Sequence, residues 1–138
     1  MKRMLAVLLL TAGQLGSVAY AGVDVAAARQ SLKNYGLGYC IVNQFKAKSD
    51  LKRDIESAIG GYSFMGNGMH SIQQNEDTLE TLHDPYEATT DFVSSLYEKT
   101  QANSKHRDRK VVFHACLAIY NAQAFDDFIK TQDPYITR

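Results

Sequence analysis

Two cysteines constrain this chain more than any other feature. Cys40 lies in YGLGYCIV and Cys116 in VVFHACLAIY, both within apolar stretches of helical spacing, and two cysteines allow only one intramolecular pairing. Disulfides persist outside the cytosol, and the first residues read as an export signal. Lys2 and Arg3 precede the apolar run Met4 to Leu10, and Ala19-Tyr20-Ala21 has the small-x-small pattern of a signal-peptidase site. Residues 1–21 are therefore expected to be a cleaved signal peptide, and residues 22–138 a single mature domain outside the cytosol. The apolar run is well short of the roughly 20 residues that a membrane-spanning helix needs, so no membrane partner is expected.

Cleavage after Ala21 leaves 117 residues, enough for one domain with one core. All 15 acidic residues follow the leader while two of the 15 basic ones precede it, so the mature net charge is −2. That balance lacks the basic footprint of a nucleic-acid or anionic-membrane binder.

The periodicity predicts an all-α single-domain bundle of about four to six helices. Asp24 can cap a helix with Val25, Ala28, Leu32, Tyr35, Tyr39 and Asn43 on one side. Ser49 or Asp50 can start a second, in which Leu51, Ile55, Ala58, Ile59 and Tyr62 form an amphipathic stripe. The connector from Gly66 to His83 is expected to be partly ordered, with a helical turn or two from Asn75. Asp84, Pro85 and Glu87 give a strong start signal for a third helix, with Tyr86, Val93, Leu96 and Tyr97 on its buried face. ANSKHRDRKV, from Ala102 to Val111, has no sizeable apolar residue inside it and is expected to project into solvent. A last helix is expected to open near Asp108, bend at Asn121-Ala122 and continue through AFDDFIKT until Pro134.

On such a helix His114 and Cys116 lie roughly 200 degrees apart, so they do not form a nucleophilic pair. His114 falls on a polar stripe, whereas Cys116 shares a buried face with Val112, Ala115 and Ile119, which leaves a thiol unreactive. Gly36 stands one turn before Cys40, and its missing side chain can let the first and last helices approach to the ~5.5 Å Cα separation of a disulfide. A Cys40–Cys116 disulfide is expected; the alternative is two buried free thiols.

The histidines His70, His83, His106 and His114 show no metal-binding spacing, so neither a metal nor a cofactor is expected. The acidic groups Glu76, Asp77 and Glu80, and Asp126 with Asp127, fit solvated helix starts and surfaces as readily as acid–base chemistry. SKHRDRK can be a solvated turn or a finger that fits a partner's cleft; its residue types alone do not choose.

Three stretches, NYGLGYCIVNQF, PYEA and ACLAIYNAQAFDDFI, resemble the amidase immunity proteins of the bacterial type VI secretion system, the family that neutralises the fourth class of secreted amidase effectors. The resemblance runs through Cys40, Cys116, Leu117, Ile119, Tyr120, Phe125 and Asp126 and covers most of the mature chain. It implies an all-α periplasmic protein that is not an enzyme, a homodimer that binds peptidoglycan amidase effectors of the NlpC/P60 type and occludes their cysteine-histidine site. By position the inhibitory loop is Ser104, Lys105, His106, Arg107, Asp108 and Arg109. The connector 66–83 is longer than the family pattern, which leaves it as a second candidate for the contact. The rival readings are a periplasmic helical module for a small ligand or an envelope assembly factor, and a small hydrolase.

Overall fold

Three polar side chains start helices where the spacing predicts them. Asp24 Oδ1 accepts from the Ala27 amide at 3.0 Å, Ser49 Oγ from Lys52 at 3.1 Å, and Asp84 Oδ1 from Tyr86 and Glu87 at 2.8 and 3.2 Å. Each satisfies amides that a helix N-terminus otherwise leaves without partners. The computed structural model describes residues 23–137, so the leader assigned to residues 1–21 lies outside the described residues. The helices are α1 (Val25–Gln44), α2 (Asp50–Tyr62), α3 (Pro85–Lys99), α4 (Val112–Tyr120) and α5 (Gln123–Thr131), with a closing 3-10 turn at Asp133–Tyr135. Among the described residues the only sheet is an antiparallel pair, β1 (Gln73–Gln74) with β2 (Thr81–His83). The protein is all-α, as expected.

The hub is α1, whose buried line is Ala28, Leu32, Gly36 and Cys40. Val25 and Asn43, expected on that line, are exposed. The expected line is right at Ala28 and Leu32 but passes over Gly36, which has no side chain to signal burial and is buried because its neighbours come close. Tyr35 remains partly buried, edge-on to Tyr86 at 5.0 Å. The rest of the core comes from Val93 and Tyr97 of α3, Ala115, Cys116 and Ile119 of α4, and Phe125 and Ile129 of α5.

Cys40 and Cys116 are disulfide-bonded, with Cα atoms 5.8 Å apart, so α1 is tied to α4. Gly36, however, does not serve that approach. A Cβ there would lie 2.7 Å from Phe125 Cζ and 3.0 Å from Thr89 Cγ2, so its missing side chain makes room for α5 and α3. Helix α2 lies across the other side of α1, where a Cβ on Gly38 would meet Ile59 Cγ1 at 2.7 Å. Although strongly amphipathic in sequence, α2 has no fully buried residue.

The connector corrects the expected helical turns. Asn75 does cap, but it caps a tight turn: its Oδ1 accepts from the amides of Asp77 and Thr78 at 2.9 and 3.0 Å. The chain then doubles back through Leu79 at φ 58°, and the Asn75 amide donates to Glu80 O at 2.8 Å. NEDTLETLH presents no apolar stripe to bury as a helix, so side-chain-to-backbone bonds decide its shape. The base of this hairpin is fastened to the C-terminal residues: Ser71 N donates to Tyr135 O at 2.9 Å, Thr137 N to Met69 O at 2.9 Å, and His70 bridges Ile136.

Candidate partner-binding face

After α3 the chain turns into a short hairpin. Val111 N donates to Ala102 O at 2.7 Å, Asn103 bridges Lys110, Ser104 N donates to Arg109 O at 3.0 Å, and Ser104 Oγ accepts from His106 N at 3.2 Å. The expectation that all of Ala102 to Val111 projects needs correction at both ends. Ala102 is buried, and the Lys110 ammonium donates to Tyr97 O at 2.5 Å and Glu98 O at 3.0 Å while lying 4.7 Å from the Tyr97 ring centre. That charge caps the carbonyl end of α3 and holds residue 110 in the hairpin, so α4 opens at Val112 and not near Asp108. Lys105, His106, Arg107, Asp108 and Arg109 are exposed, with Ser104 half-buried at the neck.

A hollow of about 590 Å³ opens beside the hairpin. Arg107, Arg109 and Lys110 form its polar wall, Phe45, Val112 and Phe113 its apolar one, and no carboxylate lines it. Phe45 is 48% and Phe113 59% exposed. Aromatic rings next to guanidinium groups are the residue types that dominate binding energy at protein interfaces.

Packing also concentrates charge here. Segments 46–53 and 105–110 together carry eight Lys and Arg against only Asp50 and Asp108, and Phe45, beside the first segment, lines a hollow with the second. Glu76, Asp77 and Glu80 sit on the other hairpin, just before the start of α3, about 20 Å away along that helix. A net charge near zero is thus the sum of a cationic end and an acidic one, and it says less about partners than the sequence reading took from it.

The remaining sites assigned from sequence fall elsewhere. Cys116 is buried in its disulfide and His114 is exposed, so they form no nucleophile–base pair. Among the described residues, no group of three His, Cys, Asp or Glu side chains is placed to hold a metal, and no helix is long and apolar enough to cross a membrane. Sequence reasoning missed His70, which is 1% exposed with no hydrogen-bond partner for Nε2. Burial pushes its pKa down, opposed by the nearby Asp133 carboxylate. A histidine in an aperiodic, glycine-rich connector carries no signal of burial. Above it, Tyr86 Oη donates to His70 O at 2.9 Å, and burial, helped by Asp84 and Tyr35, pushes the Tyr86 phenol up to about 12. His83 stacks on Tyr135 at 3.9 Å, and its Nε2 lies 2.8 Å from Gln132 Oε1. These groups pin the connector to the C-terminus.

No protein-family model, curated protein or solved structure matches this chain. What the cationic end can do follows from its own chemistry. An exposed basic finger with a buried neck, flanked by two half-exposed phenylalanines, complements a concave acidic surface with apolar margins.

Proposed function

We propose that this protein is a periplasmic immunity protein that binds a secreted peptidoglycan amidase of the NlpC/P60 type and excludes substrate from its cysteine-histidine groove. The observation that carries the proposal is the hairpin Ser104–Arg109, exposed at its tip and rooted between α3 and the disulfide-linked α4. Rigidity at the root matters because a finger that is already ordered loses less conformational entropy on entering a cleft. Its cations would steer encounter with an acidic groove, while Phe45 and Phe113 would supply apolar contact once it is seated. In this reading residues 1–21 direct export, the protein itself performs no catalysis, and two copies pair to hold two amidase molecules. The basic hairpin, not the acidic connector 66–83, is the inhibitory element.

The test uses the purified protein and a small cysteine-histidine amidase encoded beside it. Reversing Lys105, Arg107 and Arg109 to Glu is expected to lower the association rate by about tenfold or more at low salt and to abolish its salt dependence. The same variant should fail to protect cells that express the amidase in the periplasm. Unchanged association and unchanged protection would remove this hairpin from the interface.

A further inference from the structure

Phe45 has a second neighbour besides the hairpin. On its other side a hollow of about 170 Å³ lies between the last turn of α1 and the first turns of α2, walled by Ile41, Val42, Phe45, Leu51 and Ile55. Its volume is close to the ~150 Å³ in which an apolar protein cavity holds a benzene ring. Leu51 is 69% exposed, so this apolar surface has little cover from the chain itself.

The rim differs from the walls. Ser49 and Lys52 border this hollow and also the next, which is lined by Lys46, Lys48, Lys52 and Arg53 with Glu56 as its one carboxylate. Two of these cations are fixed in place. Lys46 Nζ donates to Asn43 O at 3.2 Å and Lys52 Nζ to Phe45 O at 2.8 Å, so both charges sit at the carbonyl end of α1, where the helix dipole favours them. Arg53 is paired with Asp50 and Lys52 lies 3.8 Å from Glu56 Oε1, so Lys46 and Lys48 are the cations of the rim without a carboxylate partner among the described residues.

We propose that this hollow is a docking pocket for one branched or aromatic apolar side chain on an acidic segment of the inhibited amidase, whose flanking carboxylates meet Lys46, Lys48 and Lys52. The walls exclude a polar side chain, which would lose its hydration without gaining partners. The rim selects against a basic segment. Because Phe45 is shared with the hairpin's hollow, a partner seated on the hairpin also reaches one wall of this pocket. The proposal rests on the amidase reading above and makes that interface a two-point one: the hairpin sets the rate of encounter, the pocket the lifetime of the complex.

Binding kinetics with the purified amidase separate the two. Leu51→Ala and Leu51→Glu alter an exposed residue and are first checked for unchanged melting temperature. Leu51→Ala is expected to raise the dissociation rate about fivefold and Leu51→Glu about tenfold or more, with the association rate nearly unchanged. Lys48→Glu should weaken binding in a salt-dependent way. Wild-type affinity in both Leu51 variants, with the hairpin reversal still damaging, overturns the pocket and leaves the amidase reading standing. Absence of amidase binding by the wild-type protein overturns both. Sedimentation gives the last outcome: if the wild type self-associates and Leu51→Glu disperses it without loss of amidase affinity, the occupant is a second copy of this chain, and the pocket as proposed is wrong.

Discussion

Gly36 and Gly38 stand two residues apart on α1 and open opposite sides of it, yet the two sides are held by different means. At Gly36 the neighbours are Phe125, fully buried, and Thr89, whose hydroxyl donates to Pro85 O at 2.6 Å. Cys40 adds its bond to α4 one turn further on, and Lys33 reaches Asp126 at 2.6 Å on α5. At Gly38 the neighbour is Ile59, half-buried, on a helix that has no fully buried residue and whose last turn meets α1 through Ser31 Oγ donating to Tyr62 O at 3.2 Å. One side is packed, bonded and stapled; the other is an apolar seam with one polar link near each end, Ser31 to Tyr62 and Lys52 to Phe45. The stapled side holds the root of the hairpin, and the other side leaves apolar surface exposed at the Phe45–Leu51 corner.

Removing the staple is the severest way to break this comparison. Closing a loop of 76 residues is worth about 4–5 kcal/mol in the chain-entropy model, and loss of a native disulfide from a small domain costs about 2–5 kcal/mol. Cys40→Ser combined with Cys116→Ser is expected to lose stability in that range by urea unfolding. Hydrogen exchange should rise first at the α1–α4 contact and the hairpin root. A loss below about 1 kcal/mol would mean that the stapled side is not the stiffer one.

The two glycines give a finer measure. Alanine gains about 1 kcal/mol of helix propensity at either site, but overpacking a dense core costs about 1–3 kcal/mol. Gly36→Ala, whose Cβ meets a fully buried ring, is expected to lose about 1–2 kcal/mol, whereas Gly38→Ala stays within about 0.5 kcal/mol of wild type because α2 can shift. Equal losses would show that α2 is held as tightly as α3 and α5. The triple reversal of Lys105, Arg107 and Arg109 should leave unfolding free energy within about 0.5 kcal/mol, since all three are exposed.

Acid probes the packed side with the smallest effect. His70 has a lowered folded pKa, chiefly from burial, so the unfolded chain binds a proton more readily; its contribution to stability is full above 6.5 and falls as pH drops from 6.5 toward the folded value. Asp133 is held below its usual 3.8, chiefly by its hydrogen bond from Arg29, so its contribution is full above 3.8 and is lost as pH falls through the folded value. His70→Phe should flatten the melting-temperature slope below pH 6.5 and leave the fall below pH 3.8 in place. An unflattened slope would assign the first step to another group.

Much of the fold is legible without coordinates. Asp24, Ser49 and Asp84 announce helix starts through interactions that span three residues, so local sequence is sufficient for them. The pairing of Cys40 with Cys116 is legible because two cysteines admit one bond and both fall on apolar helical faces. Residues 68–71 and His83 are not legible, because the groups that hold them, Gln132, Tyr135 and Thr137, lie about 50 positions or more further along the chain. His70 and Thr89 escape for the same reason: polar side chains are buried by what packs over them, and that is not written in their own neighbourhood.

What the sequence determined by itself is whatever acts over one or two helical turns: the all-α class, the three helix starts at Asp24, Ser49 and Asp84, and the choice of bonded cysteines. Tertiary structure alone decided that Gly36 lies on the buried line of α1, since it is the approach of Phe125 and Thr89 that needs its missing side chain. It alone set Phe45, the residue before the basic stretch 46–53, in one hollow with Arg107, Arg109 and Lys110 of the hairpin. Coulomb interactions and apolar contact depend on distance in space, and only packing converts distance along the chain into that.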